Sequence, residues 1–250
     1  MSEAFIVVIP ARYASSRLPG KPLKDIAGKP MIEWVYRQAA LSGAREVIVA
    51  TDDERIVAAC RRFDAPVEMT SAAHASGTDR IAELAHRFGW RDEQIVVNVQ
   101  GDEPLISPLS IAQTARLLAW HAEAAVGTLM APLSADSEFH DPNFVKVVTD
   151  RAGWALYFSR APIPWPRDGG VPGAYRHIGL YAYRVGSLKA ISAAAPCVLE
   201  TTEQLEQLRI LWLGFKIIVA EAAEPPSQHV DTEEDLEKVR RYIQRARVGL

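Results

Sequence analysis

Between Pro10 and Pro22 the chain reads Pro-Ala-Arg-Tyr-Ala-Ser-Ser-Arg-Leu-Pro-Gly-Lys-Pro. Arg12, Arg17 and Lys21 concentrate positive charge in one loop, with small residues and the hydroxyls of Ser15 and Ser16 between them. A polyphosphate calls for that combination, because backbone N–H groups satisfy its oxygens while Arg and Lys neutralise its charge. The loop is not a Walker A motif: Pro22 follows Gly20-Lys21 where Ser or Thr would hold magnesium. It is not a dinucleotide fingerprint either, since no G-x-G occurs in the chain. The plain alternative is a solvated basic loop, and its position directly after an apolar strand favours the anion site.

Three further stretches carry chemistry. Asn98-Val-Gln-Gly-Asp-Glu-Pro104 ends an apolar run in carboxylates. Magnesium takes hard oxygens and usually only one or two protein carboxylates, with phosphate and water completing its octahedron. Asp102 is the better ligand, because Pro104 restricts the backbone of Glu103 and leaves that side chain free to face the next loop. Ser76-Gly-Thr-Asp-Arg80 offers Gly77 for close approach to a planar base and Arg80 for base or phosphate, while Thr78 is equally readable as a helix N-cap. In Val230-Asp-Thr-Glu-Glu-Asp-Leu236, Thr232 and Asp235 have capping-box spacing, which leaves Asp231 outside the helix as a second metal ligand. Arg160, His177, Tyr181, Glu206 and Gln207 form a looser group suited to a hydroxylated, acidic ligand. From spacing alone, each of these is more often structural.

Positioning such residues requires a sheet. Phe5–Ile9, Glu46–Thr51, Pro66–Met69 and Gln94–Val99 read as buried strands, separated by helices from Ile32 to Ala39, behind Asp52 and Asp53, and from Thr78 to Phe88. A further helix runs from about Pro108 to His121. Strands alternating with helices imply right-handed crossovers and a mostly parallel sheet, with ligands beyond the carboxyl ends of its strands. The second half is less regular. Phe144–Thr149, Trp154–Ser159 and His177–Tyr183 look like strands, and the loop 161–174 is rich in Pro and Gly. Leu205, Leu208, Leu211 and Trp212 make a helical stripe, Lys216–Ala220 a strand, and Asp235–Ile243 a last helix. The expected class is α/β: one nucleotide-binding core over 1–135, an inserted β-rich lobe over about 136–200, and a return to the core over 201–250.

Composition excludes several functions. The 250 residues carry 28 Lys plus Arg against 31 Asp plus Glu, a formal charge of −3, which argues against binding duplex nucleic acid through its phosphates. With 48% apolar residues the chain has the content of a folded globular protein. No apolar run approaches the roughly 20 residues that span a bilayer, so no membrane insertion is expected. Phe5–Ile9 is short and lacks a basic flank, so it reads as a strand and not a signal peptide. Cys60 and Cys197 match no zinc or redox spacing and are expected to be reduced thiols in a cytoplasmic protein.

Taken together, the motifs resemble the 3-deoxy-manno-octulosonate cytidylyltransferases, also called CMP-Kdo synthetases. The resemblance covers nearly the whole chain. Its most specific parts are Ile9–Pro22, Asn98–Pro104, Tyr157-Phe-Ser-Arg-Ala161, Arg176-His-Ile-Gly-Leu-Tyr181 and Leu205-Glu-Gln-Leu-Arg209. It implies a Rossmann-like nucleotidyltransferase fold with a smaller lobe for dimerisation and sugar binding, hence a homodimer. The implied reaction is CTP + Kdo → CMP-Kdo + pyrophosphate, with Mg2+, feeding lipopolysaccharide biosynthesis. By the same analogy Arg12 and Lys21 hold the triphosphate, within a nucleotide site of Ala11, Arg12, Ser15, Lys21, Ser76, Gly77, Thr78, Arg80 and Gln100. Asp102 and Asp231 are implied as magnesium ligands. Gln100 borders both substrates, and Arg160, His177, Tyr181, Glu206 and Gln207 line the sugar-acid site. The alternatives are a sister enzyme acting on 8-amino-Kdo or a sialic-type acid, a sugar-1-phosphate nucleotidylyltransferase, and a nucleotide-binding module without turnover.

Overall fold

In the computed structural model, which describes residues 4–14, 18–133, 135–170 and 173–248, the first apolar run becomes β1 (Ile6–Ala11). A 3-10 turn at Lys21–Leu23 and a small ribbon, β2 (Asp25–Ile26) with β3 (Lys29–Pro30), lead into α1 (Met31–Ala40). Alternation then continues through β4 (Glu46–Thr51), α2 (Glu54–Arg61), β5 (Val67–Met69), α3 (Gly77–Arg87), β6 (Ile95–Asn98) and α4 (Pro108–Trp120). Side chains start the helices where the sequence offers them: Asp53 caps α2, Ser76 caps α3 and Ser107 caps α4. Ser76, not Thr78, is therefore the cap of α3. Its hydroxyl accepts from the Asp79 N–H at 3.1 Å.

The second half adds β7 (Val126–Pro132), α5 (Asp136–His140), β8 (Lys146–Thr149), β9 (Ala155–Ser159) and β10 (Tyr175–Arg184). It closes with α6 (Val185–Ala193), α7 (Val198–Glu203), α8 (Gln207–Trp212), β11 (Ile217–Glu221) and α9 (Glu233–Val248). Four of these, β7, α5, α6 and α7, were not expected from the sequence.

The strands form one nine-stranded sheet in the order β11-β7-β10-β6-β1-β4-β5. Pairing is parallel from β6 to β5 and between β11 and β7, whereas β10 runs antiparallel to both of its neighbours. The β8–β9 hairpin is attached through β8 to the start of β10, so its strands continue the central sheet. Val7 and Ile9 face one core with α1, while Ile6 and Val8 face the other with α3 and α6, which is why β1 is apolar at every position. A third, smaller core joins Leu18, Ile26 and Met31 to Val230, Leu236, Val239 and Ile243. It packs α9 against the segment that follows the cationic loop. Cys60 and Cys197 are buried and unbridged, and burial pushes the Cys60 thiol up to about 12. Among the described residues no helix is long and apolar enough to cross a membrane.

Candidate active site

Three carboxyl-end loops of the sheet, after β1, β5 and β6, meet the segment before α9 around a cavity of about 710 Å³. Ala11, Arg12, Lys21, Ser76, Gly77, Arg80, Gln100, Asp102 and Asp231 all line it. The separate sequence motifs thus share one wall. Ser15 lies outside the described residues. Two glycines let the loops close on one another. A Cβ on Gly77 would lie 3.0 Å from Pro10 Cγ, and one on Gly101 would lie 2.9 Å from the Pro10 carbonyl oxygen. The second contact is with backbone, which cannot swing aside. Gly101→Ala is therefore expected to lower stability by about 1–3 kcal/mol, read by chemical denaturation, because the loop carrying Asp102 must shift.

At the cavity's edge the Lys21 ammonium donates to Asp102 Oδ2 at 2.8 Å and to Asp231 Oδ1 at 2.9 Å. These two carboxylates lie far apart in sequence, and the fold supplies their approach. Val230 is fully buried in the third core, and its N–H donates to the Asp102 carbonyl at 3.0 Å. Asp235 accepts from the Thr232 N–H at 3.1 Å and its own N–H donates to Thr232 Oγ1 at 3.2 Å, so the capping box forms and leaves Asp231 to the cavity.

Charge at this edge is tightly coupled. Burial pushes the Asp102 carboxyl up, but the His229 ring, 3.7 Å away, and the neighbouring Lys21 outweigh it and hold the pKa at about 2. Burial also opposes the charge on Lys21, yet Asp102 and Asp231 raise its pKa overall. Desolvation pulls His229 down, but its side chain keeps 44% of its surface, and Glu103, Asp102 and Asp231 lift it to about 9. Burial raises Glu103, which accepts from Ser227 Oγ at 2.8 Å. Neither His229 nor Ser227 belongs to a motif that sequence reasoning singled out. The donor chemistry fits magnesium: two carboxylates on separate segments offer hard oxygens toward one point. Among the described residues no three His, Cys, Asp or Glu side chains form a cage for a metal. An ion on Asp102 and Asp231 would take its other ligands from phosphate and water.

Arg80 lines the cavity but is only 4% exposed. Its guanidinium bonds Asp52 at 2.8 Å, the Thr70 hydroxyl and, at 3.4 Å, the Ser71 carbonyl. It ties α3 to the ends of β4 and β5 and so shapes the wall beside Gly77. Arg12, in contrast, is exposed at the cavity mouth.

The residues of the expected sugar-acid site fall into two groups. His177 lies with its ring edge-on to Phe158 at 4.9 Å and 5.2 Å from the ring of Tyr181, with Thr128 Oγ1 at 2.9 Å. Tyr181 stands opposite Asn98 in the β10–β6 register. Burial raises the pKa of Glu206, and the Thr78 side chain opposes that rise. Gln207 beside it is buried. Thr78 follows Gly77, so this polar seam adjoins the nucleotide wall. Asn98 sits there too, with a buried side-chain oxygen that has no partner among the described residues. The Arg160 guanidinium belongs to the second group. It donates to the carbonyls of Glu203 at 2.7 Å and Pro142 at 2.9 Å, while the Arg160 backbone N–H and the Ser159 hydroxyl converge on the Glu203 carboxylate.

Burial holds His177 at about 3, far below its ordinary 6.5, so the neutral ring is the native form. Protons then bind the unfolded chain first. The contribution of His177 to stability is complete above pH 6.5 and is lost as the pH falls toward 3. His177→Gln should lose less stability than the parent between neutral pH and about pH 4, by about 3 kcal/mol in urea unfolding.

A family model described as cytidylyltransferase matches residues 6–217. The 3-deoxy-manno-octulosonate cytidylyltransferase of Pseudomonas fluorescens is 56% identical over 98% of this chain and 100% of that protein. The protein of the same name from Thioalkalivibrio sulfidiphilus is 53% identical over 96% of this chain and 99% of its own length. Among solved structures, CMP:2-keto-3-deoxy-manno-octonic acid synthetase complexed with CTP gives a TM-score of 0.90 at 44% identity, covering 98% of this chain and 100% of that one. The 4-diphosphocytidyl-2C-methyl-D-erythritol synthase of Anaerococcus prevotii, at 17% identity, a TM-score of 0.62 and coverage of 96% and 99%, shares the fold.

Proposed function

This chain belongs to the 3-deoxy-manno-octulosonate cytidylyltransferase family, and from that premise we propose that the cavity beside Lys21, Asp102 and Asp231 is where its reaction takes place. The enzyme transfers CMP from CTP to Kdo and releases pyrophosphate. The observation that carries the site is the Lys21 ammonium held between two carboxylates at the edge of a cavity that the phosphate loop also lines.

In this reading the anomeric hydroxyl of Kdo attacks the α-phosphorus and the bond to the β-phosphate breaks, pyrophosphate taking the electron pair. Little covalent chemistry falls to the protein, so catalysis is positioning and charge stabilisation. Arg12 and Lys21 offset charge that builds on the leaving pyrophosphate. Ser76, Gly77 and Thr78 form the nucleoside wall, with Ala11 on the phosphate side. Asp102 and Asp231 would hold magnesium, which when bound would polarise the α-phosphate and lower the pKa of the attacking hydroxyl. Gln100 borders both substrates. His177, Tyr181, Glu206 and Gln207 bind the sugar acid next to Thr78, and Arg160 braces that pocket through the Glu203 segment.

The product is an activated sugar acid for lipopolysaccharide assembly, made in the cytoplasm. A homodimer joined through the sugar-binding part is supported by Leu156, Trp165, Val198 and Trp212, which are each at least 59% exposed. Sedimentation at micromolar concentration distinguishes dimer from monomer. The function itself is tested by pyrophosphate release with CTP and magnesium, offering Kdo, 8-amino-Kdo and N-acetylneuraminate in parallel. Release that requires Kdo and fails with UTP is expected. Release favouring another acid would overturn the acceptor assignment, and CTP binding without release would leave a nucleotide-binding module.

A further inference from the structure

The segment after β1 separates two spaces. Arg12 and Ala14 line the nucleotide cavity, whereas Tyr13 lines a second cavity of about 840 Å³ together with Gly20, Leu23, Arg55 and Phe63. Tyr13 packs partly against the first core and is otherwise held by what meets it on the second cavity's side. The Arg55 guanidinium carbon lies 3.2 Å from the Tyr13 ring centroid, in stacking contact. Arg55 is itself fixed from two points, since its Nε and Nη2 donate to the Asp53 carboxylate at 2.9 and 2.6 Å. Asp53 in turn accepts from the Arg55 backbone N–H at 2.9 Å as the cap of α2. The Tyr13 ring also packs against Gly20, where a Cβ would lie 3.1 Å from three ring-end atoms. The Gly20 N–H donates to the Tyr13 carbonyl at 3.1 Å. The next residue is Lys21. A continuous set of contacts therefore runs from α2 through Tyr13 to the lysine between Asp102 and Asp231.

We propose that Arg55 is a positioning residue for the nucleotide: through Tyr13 it fixes the segment that presents Arg12 and Lys21 to the triphosphate. The proposal rests on the phosphate-binding role given above to Arg12 and Lys21. The Arg55 side chain is 59% exposed and lies on the far side of the wall, so its action is through Tyr13 and not on the ligand. Arg62 is a built-in control. It lines the same second cavity, is exposed, and removes the same charge when replaced, but it is not part of the Tyr13 contact.

The test measures CTP binding by calorimetry and steady-state pyrophosphate release for the parent, Arg55→Ala, Arg55→Lys, Asp53→Asn and Arg62→Ala. Arg55→Ala should raise both Kd and KM for CTP about three- to tenfold, leaving the KM for Kdo and the thermal midpoint unchanged. Arg55→Lys keeps a cation over the ring but loses the two-point hold of Asp53, so it should fall in between. Asp53→Asn should weaken CTP binding in the same direction, and Arg62→Ala should behave as the parent. Unchanged CTP affinity in Arg55→Ala overturns the proposal, as does an equal loss in Arg62→Ala. A joint fall in melting temperature and in affinity for both substrates would make Arg55 a brace of α2 and overturn it as well. Failure of the functional reading looks different: the parent itself would bind CTP without releasing pyrophosphate, and the calorimetric comparison would still decide the role of Arg55.

Discussion

Asp102→Asn is expected to lower kcat by on the order of a thousandfold or more while the protein stays folded. The carboxylate acts where charge develops, and a group of that kind typically carries several orders of magnitude in rate. The amide keeps the shape of the side chain but loses the charge that a magnesium ion would meet. The fold tolerates the change because each partner retains another acid. Lys21 still reaches Asp231 at 2.9 Å, and His229 Nε2 still lies 3.4 Å from Glu103. A circular dichroism spectrum like the parent's and a cooperative melt lowered by only a few degrees, alongside the lost rate, would separate this effect from unfolding. A near-normal rate would remove Asp102 from the metal site.

Lys21→Met has the second large effect, and it acts in two ways. Without the ammonium, one of the cations assigned to the leaving pyrophosphate is lost, so kcat/KM should fall by about a hundred- to a thousandfold. The second effect is on stability. Asp102 titrates at about 2 in the native protein against an ordinary 3.8, so its contribution is present above pH 3.8 and is lost as the pH falls toward 2. Lys21 is one of the groups that hold it there, together with His229 and against the opposing burial. Removing Lys21 moves the native pKa back up, so the acid limb of the stability curve should flatten by about 1 kcal/mol. Urea unfolding of parent and variant at neutral pH and near pH 3, in the presence of chelator, measures that difference. An unaltered rate would assign the triphosphate to other cations.

The elements that sequence reading found are those whose signal is local. β1 and β6 are apolar at successive positions because both faces are covered, and Asp53 and the Thr232–Asp235 pair mark helix starts by their own hydrogen bonds. β7 was missed because its pattern serves tertiary neighbours. Gly127 is small to admit Leu118 of α4, whose Cβ would lie 3.3 Å from an added methyl, and Thr128 is buried on the carbonyls of Ile178 and Leu180. Nor does α6 announce itself, since it follows β10 directly from Arg184 with no side-chain cap, and Gly186 packs on Asp92.

The site divides in the same way. Its pieces were legible because Lys21, Asp102 and Asp231 each stand beside a strand end or a helix cap that fixes where they fall. Their partners were not. Nothing near Arg80 in sequence points to Asp52, and His229 reaches Glu103 and Asp102 only after the third core has brought Val230 home. The Tyr13–Arg55 contact likewise joins a residue inside a motif to one outside it.

The most direct test of the account is pyrophosphate release from CTP and Kdo as a function of magnesium, for the parent, Asp102→Asn and Asp231→Asn. The parent should be inactive with chelator, rise to saturation with magnesium and require both substrates, and both variants should stay low at every concentration. Full activity with chelator, or parent-like magnesium curves in the two variants, would contradict the assignment of these carboxylates to the reacting centre.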